Sequence, residues 1–280
     1  RSIGLEIVCA GKGTKYLPKY HFSTPETVWK HYGLKEEEVV RGGLNPRMFN
    51  SFLDGTKSAI EMAAVANATE LHPQPEGLNF PSCGAEDLAE ICRPRSCGGQ
   101  LSHSGTVEVV SSLERNGQPI LDDLRWGVYV TFVASNNYVK DCFSEYGLKT
   151  DVSGRYSSLY RPYHLVGLEL PISVLKVGLN GEPTGTPVAF YGDVVATAKR
   201  DLSVKEVLDG EGGYTVYGKL MPAKNSLKSN ALPIGLARDV VLRKDVPVGQ
   251  TLCWSDVDYD RADPIICFRR EMEDTFVSEI

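Results

Sequence analysis

No run of about 18 to 20 apolar residues occurs in this 280-residue chain, so the sequence offers no segment that could span a bilayer as a helix. The opening "RSIGLEIVCAGKG" also lacks the basic, apolar and small-residue order of a secretory signal. The expectation is a cytoplasmic protein with no membrane partner. Close cysteine pairs are missing as well: Cys9, Cys83, Cys92, Cys97, Cys142, Cys253 and Cys267 contain no CxxC, and their number is odd. Scattered reduced thiols are expected rather than a disulfide framework or a tight zinc site. Cys83, Cys92 and Cys97 with His103 are one grouping that could hold a metal. Positive charge is not in excess, with 30 Lys and Arg against 36 Asp and Glu, a net charge of −6. Nothing is dense enough to neutralise several phosphates, which argues against nucleic acid as a partner. Small phosphorylated molecules stay compatible.

What is present is a globular composition, 42% hydrophobic and 24% charged, in a chain long enough for two domains or one large one. Leu5, Ile7 and Val8 read as a short buried strand emptying into a Gly11-Lys12-Gly13 loop, the pattern of an α/β sheet near its ligand-facing edge. "STPETVWKHYG" carries capping residues and a proline that predict a short helix over 25–32. "GTVEVVSSLERNGQPI" predicts a hairpin turning at Asn116 and Gly117, and "LRWGVYVTFVA" another strand, so a largely antiparallel sheet is expected mid-chain. The segment 155–178 is expected to become helical after Pro162.

Gly and Pro cluster in "LNGEPTGTPVAF", which marks a boundary. Beyond it "AKRDLSVKEVL" at 198–208 is echoed by "LRKDVPVGQTL" at 242–252, suggesting a small pseudo-symmetric β domain. The glycine-rich "DGEGGYTVYGKL" inside the first copy is either a plain surface loop or one that closes over a ligand.

The stretch "FLDGTKSAIEMAAVANAT", residues 52–69, predicts an almost apolar helix with Asp54, Lys57 and Glu61 on one stripe. If the stripe faces solvent, Lys57 and Glu61 form an ordinary i, i+4 pair worth a few tenths of a kcal/mol. If it is enclosed, the charges need partners or a ligand. A lysine can then polarise a carbonyl or protonate a developing alkoxide, while carboxylates orient hydroxyls, tune the lysine or bind a divalent metal. Lys12, Lys15 and His21 follow the first strand and could meet this helix, the lysines on a phosphate or simply in solvent. Arg155, Arg161 and His164 beside Tyr160 and Tyr163 could bind an anion or serve a structural seam.

The stretches "AGKGTKYLPKYHFSTPETVWKHYG", "NPRMFNSFLDGTKSAIEMAAVANAT", "GRYSSLYRPYHLVGLEL" and "GDVVATAKRDL…LDGEGGYTVYGKLMPA" resemble, in order and over nearly the whole chain, the deoxyxylulose-5-phosphate reductoisomerase-like family. That family is related to homoserine dehydrogenase and joins a Rossmann domain and a catalytic domain to a C-terminal SAF domain. The resemblance implies an α+β fold: residues 1–20 as the last Rossmann-type strand, 21–186 as a mixed or antiparallel-sheet catalytic domain with helices, and 187–280 as a β-clip-like SAF domain. It implies an NADPH-dependent oxidoreductase, which in some members rearranges and reduces 1-deoxy-D-xylulose 5-phosphate to 2-C-methyl-D-erythritol 4-phosphate in isoprenoid precursor synthesis.

By the same resemblance, Lys57, Asp54, Glu61 and Lys15 are catalytic, with Lys57 as proton donor. Lys12 and Asn67 match family positions and are expected to bind substrate; His21, Asn50, Arg161 and His164 are substrate-binding candidates on residue type, and Gly11 and Gly13, at partial spacing, are the candidates for the cofactor. A small phosphorylated or polyhydroxylated substrate follows. Oxidoreductases of this architecture often pair through the catalytic-domain sheet, which makes a homo-oligomer the expectation. The chain departs from the family in having no G-x-G-x-x-G after a strand, the pyrophosphate turn of a Rossmann half. A homoserine-dehydrogenase-like enzyme for another substrate, and a non-catalytic carbohydrate-binding or assembly module, stay open.

Overall fold

The structure is a computed structural model describing residues 3–277. Residues 1, 2 and 278–280, the outer ends of the first and last expected segments, lie outside the described residues. The fold is α+β. Its first helices are α1 (Val28–Tyr32), α2 (Glu36–Gly42), α3 (Pro46–Leu53) and α4 (Thr56–Thr69), followed by α5 (Leu88–Ile91) and α6 (Asn137–Glu145). Then come α7 (Leu170–Asn180), α8 (Ala223–Ser229) and α9 (Pro264–Val277). The strands are β1 (Glu6–Thr14), β2 (His72–Pro73), β3 (Thr106–Ser111), β4 (Val128–Val133) and β5 (Tyr156–Arg161). Five more follow: β6 (Gly192–Ala198), β7 (Val207–Asp209), β8 (Val216–Pro222), β9 (Arg238–Leu242) and β10 (Val257–Asp258). Two compact units result, one of residues 1–17 and 64–191, the other of 18–63 and 192–280.

The first unit is built on a five-stranded sheet in the order β2-β3-β1-β4-β5. β1 runs parallel to β3 and antiparallel to β4, and β5 adds antiparallel to β4. The sheet is therefore mixed rather than largely antiparallel, because β3 returns parallel to β1 and β2 adds parallel to β3. Asn116 and Gly117 do form a turn, with Gly117 at φ +90° and Glu114 N–H donating to Gln118 O at 2.8 Å. Its arms also pair at an isolated Leu113–Pro119 bridge and through Ile120 N–H to Ser112 O at 3.1 Å, a short ladder that does not extend into two strands.

The Gly-Lys-Gly segment is not a loop. β1 continues through Thr14, and a Cβ on Gly11 would run into the Glu108 carbonyl oxygen and one on Gly13 into that of Leu124. Both glycines thus answer to close backbone approach inside a sheet. Val8, Cys9, Leu88, Cys92, Leu101, Val110, Leu124 and Tyr129 form the core against this sheet. On Phe132 of β4, the α6 residue Phe143 packs edge-on at 5.5 Å. The segment after Pro162 stays irregular until α7 begins at Leu170.

The second unit contains the repeat. Its two copies face each other antiparallel: Leu202 and Val246, which occupy equivalent repeat positions, exchange backbone hydrogen bonds of 2.9 Å. The flanking bonds are reciprocal as well. Ala198 N–H donates to Gln250 O at 3.0 Å as Leu242 N–H does to Glu206 O at 2.9 Å, and Gly249 N–H donates to Ala198 O as Lys205 N–H does to Leu242 O, both at 2.8 Å. Side chains obey the same operator, since Asp245 accepts from Val204 N–H at 2.7 Å and Asp201 from Val248 N–H at 2.8 Å. A local two-fold axis therefore passes between Leu202 and Val246. β6 pairs with β8, and β10-β9-β7 form a second small sheet. α9 is tied on by Arg269, which reaches Asp193 at 2.6 Å and Glu273 at 2.7 Å.

Candidate functional site

α3 starts where Asn45 accepts from the backbone N–H groups of Arg47 and Met48 at 3.0 and 3.2 Å, with Pro46 in the first turn. It stops at Leu53. Gly55, at φ +90°, turns the chain before α4 begins at Thr56. The stretch 52–69 is therefore two helices and not one, and Asp54 sits at the junction instead of on the stripe of Lys57 and Glu61. Its Oδ1 accepts from Thr56 N–H at 2.9 Å.

The junction is the centre of a buried polar cluster. Asp54 is fully buried, and its Oδ2 lies 2.7 Å from Nζ of Lys199, which is itself buried. Lys199 also donates to Ser23 O at 2.9 Å and Gly213 O at 2.8 Å. Three oxygens thus surround one ammonium. Asn50, fully buried in α3, accepts from the Ser23 hydroxyl at 2.6 Å and donates to Ser23 O and Gly212 O, each at 3.1 Å. Its amide is engaged at both ends, Oδ1 on Ser23 and Nδ2 on Ser23 O and the glycine-rich loop. Burial raises the Asp54 carboxyl above its usual range, opposed by the charge and hydrogen bond of Lys199.

His21 completes the cluster. Its Nδ1 is 2.7 Å from Asp54 O, and its ring stacks on Tyr217 with centroids 4.5 Å apart. Burial, assisted by the charges of Lys199 and Lys219, pulls its pKa down to about 4, against the pull of the Asp54 carbonyl. Facing a carbonyl, Nδ1 must carry the proton, so the ring is neutral at pH 7 with Nε2 unprotonated. Lys57 and Glu61 belong to the opening turns of α4, 3.9 Å apart and 40% and 32% exposed at their side chains. This pair is open to solvent, whereas Asp54 is committed to Lys199. Among the described residues no group of three or more His, Cys, Asp or Glu is arranged to hold a metal ion.

The first unit carries the other candidates. Lys12 lies in β1 between the two packing glycines, and Lys15 follows the strand, its pKa lowered by burial and by the charge of Arg125. Asn67 accepts from Tyr191 N–H at 2.7 Å through Oδ1, and its carbonyl accepts from Val188 N–H at 2.8 Å. Arg161 pairs with Glu169 at 2.6 Å and lies over the Tyr163 ring, while His164 Nδ1 meets Trp126 O at 2.8 Å. These contacts are chain-internal and tie β5 to the segment after it. The cysteine grouping separates in part: Cys83 and Cys92 stay together in the buried core, where Cys92 and the neighbouring Cys9 are each 3.4 Å from the Tyr129 hydroxyl, whereas Cys97 is exposed beside Tyr156 and His103 pairs with Ser102.

Lys199 is the residue that sequence reading passes over. The available signal is a lysine at the end of "GDVVATAK", a strand whose other residues are all buried. Its repeat equivalent, Arg243, is instead exposed and paired with Asp258.

The family model described as "Oxidoreductase DRL, catalytic domain" matches residues 1–170, and the chain belongs to that family of oxidoreductases. No curated protein matches it. Among the described residues no helix is long and apolar enough to cross a membrane.

Proposed function

We propose that this chain is the substrate-handling part of an NAD(P)H-dependent, cytoplasmic oxidoreductase that reduces a small phosphorylated or polyhydroxylated carbonyl compound. The substrate favoured by resemblance is 1-deoxy-D-xylulose 5-phosphate, rearranged before reduction. The observation that carries this reading is the Lys57–Glu61 pair at 3.9 Å, open to solvent on the turns of α4 that follow the buried Asp54 junction, in a chain of an oxidoreductase family. In this account Lys57 Nζ gives a proton to the carbonyl oxygen as it becomes an alkoxide, and Glu61 orients the ammonium. Asp54, Lys199 and Asn50 position the helix junction and hold the 210–213 loop.

A nicotinamide cofactor supplies the hydride when bound. The described residues do not fit its pyrophosphate: Gly11 and Gly13 are enclosed in β1 against the Glu108 and Leu124 carbonyls, and no G-x-G-x-x-G follows a strand. The reading therefore needs a dinucleotide-binding domain from further chain or from a partner, and gives these residues the substrate end alone. Residues 187–280 enter it as a SAF-like domain.

The test is NADPH consumption by the complete enzyme with 1-deoxy-D-xylulose 5-phosphate. Lys57→Ala is expected to lower kcat by about 10²-fold or more, the scale of a lost general acid, with an unchanged circular-dichroism spectrum. A wild-type rate in the variant overturns the role of Lys57, and inactivity of the wild-type enzyme overturns the substrate.

A carbohydrate-binding module is the second reading, favoured by a cleft of about 470 Å³ in the second unit lined by Arg47, Ser51, Asp209, Glu211 and Arg238. It predicts sugar-phosphate binding by calorimetry that ignores NADPH and is lost in Arg238→Ala. Unchanged heats in that variant sink it.

A further inference from the structure

Strand β8 has a polar face to which the reaction proposed above gives no role. Its residues alternate, with Val216, Gly218 and Leu220 buried and Tyr217, Lys219 and Met221 half-buried on the other side. His21 stacks on Tyr217 with centroids 4.5 Å apart. After burial, and together with Lys199, the charge of Lys219 contributes to the low pKa of His21, so the lysine and the imidazole are neighbours. The antiparallel register with β6 puts Thr197 opposite Tyr217 and Val195 opposite Lys219.

The same strand is fastened to the start of α4. Gly218 N–H donates to the Thr56 hydroxyl at 2.8 Å. A Cβ on Gly218 would lie 2.8 Å from Val194 Cγ1 and 2.9 Å from Thr56 Cγ2, so a side chain here would force strand and helix apart. Lys219 follows Gly218, and Lys57 follows Thr56. The two lysines therefore flank one hydrogen bond from either side, and His21 joins them through Asp54 O at 2.7 Å.

Charge on this face is unbalanced. Asp54 is committed to Lys199 at 2.7 Å, Glu61 lies 3.9 Å from Lys57, and Asp193, on the same face of β6, is held by Arg269 at 2.6 Å. Lys219 has an aliphatic residue across the ribbon and, among the described residues, enters no ion pair. Thr197, 1% exposed, has a hydroxyl without a hydrogen-bond partner. A half-buried ammonium with no counter-charge, beside a neutral imidazole and an unmet hydroxyl, suits an oxygen-rich anion.

We infer that Lys219 is the phosphate anchor of the substrate site, seated against the His21 ring, with Lys57 at the carbonyl end. The inference deepens the oxidoreductase reading and rests on it for the substrate, whereas the anchor itself can be tested without turnover.

With isotope-labelled histidine in the full chain, the His21 ring nitrogens, assigned among five histidines by His21→Gln, are expected to shift when inorganic phosphate is added. The shift should vanish in Lys219→Met and persist in both Lys219→Arg and Lys57→Ala, with circular-dichroism spectra unchanged. In the complete enzyme Lys219→Met should raise the KM for 1-deoxy-D-xylulose 5-phosphate by about 10- to 100-fold, the range of one charge-assisted hydrogen bond. Its kcat should fall far less than that of Lys57→Ala. Phosphate at about 50 mM, well above a millimolar dissociation constant, that leaves His21 unmoved overturns the inference. So does a shift that survives Lys219→Met or is lost in Lys57→Ala, and so does an unchanged KM in Lys219→Met. A wild-type enzyme inactive on this substrate overturns the substrate alone, because the phosphate titration still reads Lys219.

Discussion

Asp54→Ala will destabilise the second unit by on the order of 3–5 kcal/mol, the cost of removing one member of a buried ion pair. The variant leaves the Lys199 ammonium enclosed, with Ser23 O at 2.9 Å and Gly213 O at 2.8 Å as its remaining acceptors. Neither carbonyl carries a full charge, so the desolvation of the ammonium is no longer offset. Thr56 N–H also loses its Oδ1 acceptor at the start of α4. Lys199→Met should cost a similar amount by stranding the carboxylate instead.

The pair replaced together, Asp54→Leu with Lys199→Met, should recover a large share of that loss, since an apolar pair of similar volume carries no desolvation penalty. Urea unfolding of the four proteins closes the cycle. Single variants within about 1 kcal/mol of wild type would mean the site is hydrated and the pair contributes little. The same cycle separates structure from chemistry: a double variant that is stable but inactive would show that the junction positions Lys57.

Glu108→Gln will remove a pH dependence of stability between about pH 4.5 and 8. Glu108 is fully buried on β3, where Val109 N–H donates to it at 2.8 Å, Asn79 N–H at 3.1 Å, Phe80 N–H at 3.2 Å and the Gln74 amide at 2.5 Å. No lysine or arginine joins these donors in the set. Burial pushes its pKa up from 4.5 to about 8 despite the hydrogen bonds.

The folded protein consequently keeps a proton that the unfolded chain has released above pH 4.5, so unfolding releases a proton in this window and stability falls as pH rises. The contribution is complete below the unfolded value and gone once the pH passes about 8. At most one proton is involved, so the slope contributed by Glu108 is about 1.4 kcal/mol per pH unit. Glutamine keeps the shape and cannot ionise. It sets an amide against the Gln74 amide, which lowers stability by a constant amount without affecting the slope. Urea midpoints at pH 5.5, 6.5 and 7.5 decide the matter: parallel profiles for wild type and variant would show that Glu108 is ionised in the folded state throughout.

Much of the local structure could be seen in the sequence because its causes are local. β4 follows from alternating β-branched and aromatic residues, the turn at Asn116-Gly117 from a dipeptide suited to positive φ, and α3 from Asn45 before Pro46. The repeat at 198–208 and 242–252 predicted pseudo-symmetry, and the reciprocal hydrogen bonds about Leu202 and Val246 realise it. The sheet misleads by one strand because direction depends on where β3 returns. A hairpin turn at 116–117 says nothing about the parallel pairing of β3 with β1. Gly11 and Gly13 look like a loop for a related reason: in sequence a glycine needed for conformational freedom cannot be told from one needed because a neighbouring carbonyl leaves no room.

The candidate site divides along the same line. Lys57 and Glu61 are four residues apart on one helix, and helical geometry alone brings them together. The break at Gly55 is also written in the chain, although only the φ of +90° shows that it separates Asp54 from that stripe. Lys199 is remote in sequence from Asp54. Nothing in either segment names the other, because a buried ion pair is selected by mutual desolvation, a property of the packed interior rather than of any local pattern. By itself the sequence determined the class of fold, the repeat, the helical lysine and its carboxylate, and the family, since each rests on periodicity or on contiguous motifs. Tertiary structure alone decided that Asp54 belongs to Lys199, that Glu108 is enclosed without a cation, and that Lys219 lies beside His21. Burial is set by what the rest of the chain brings near a residue.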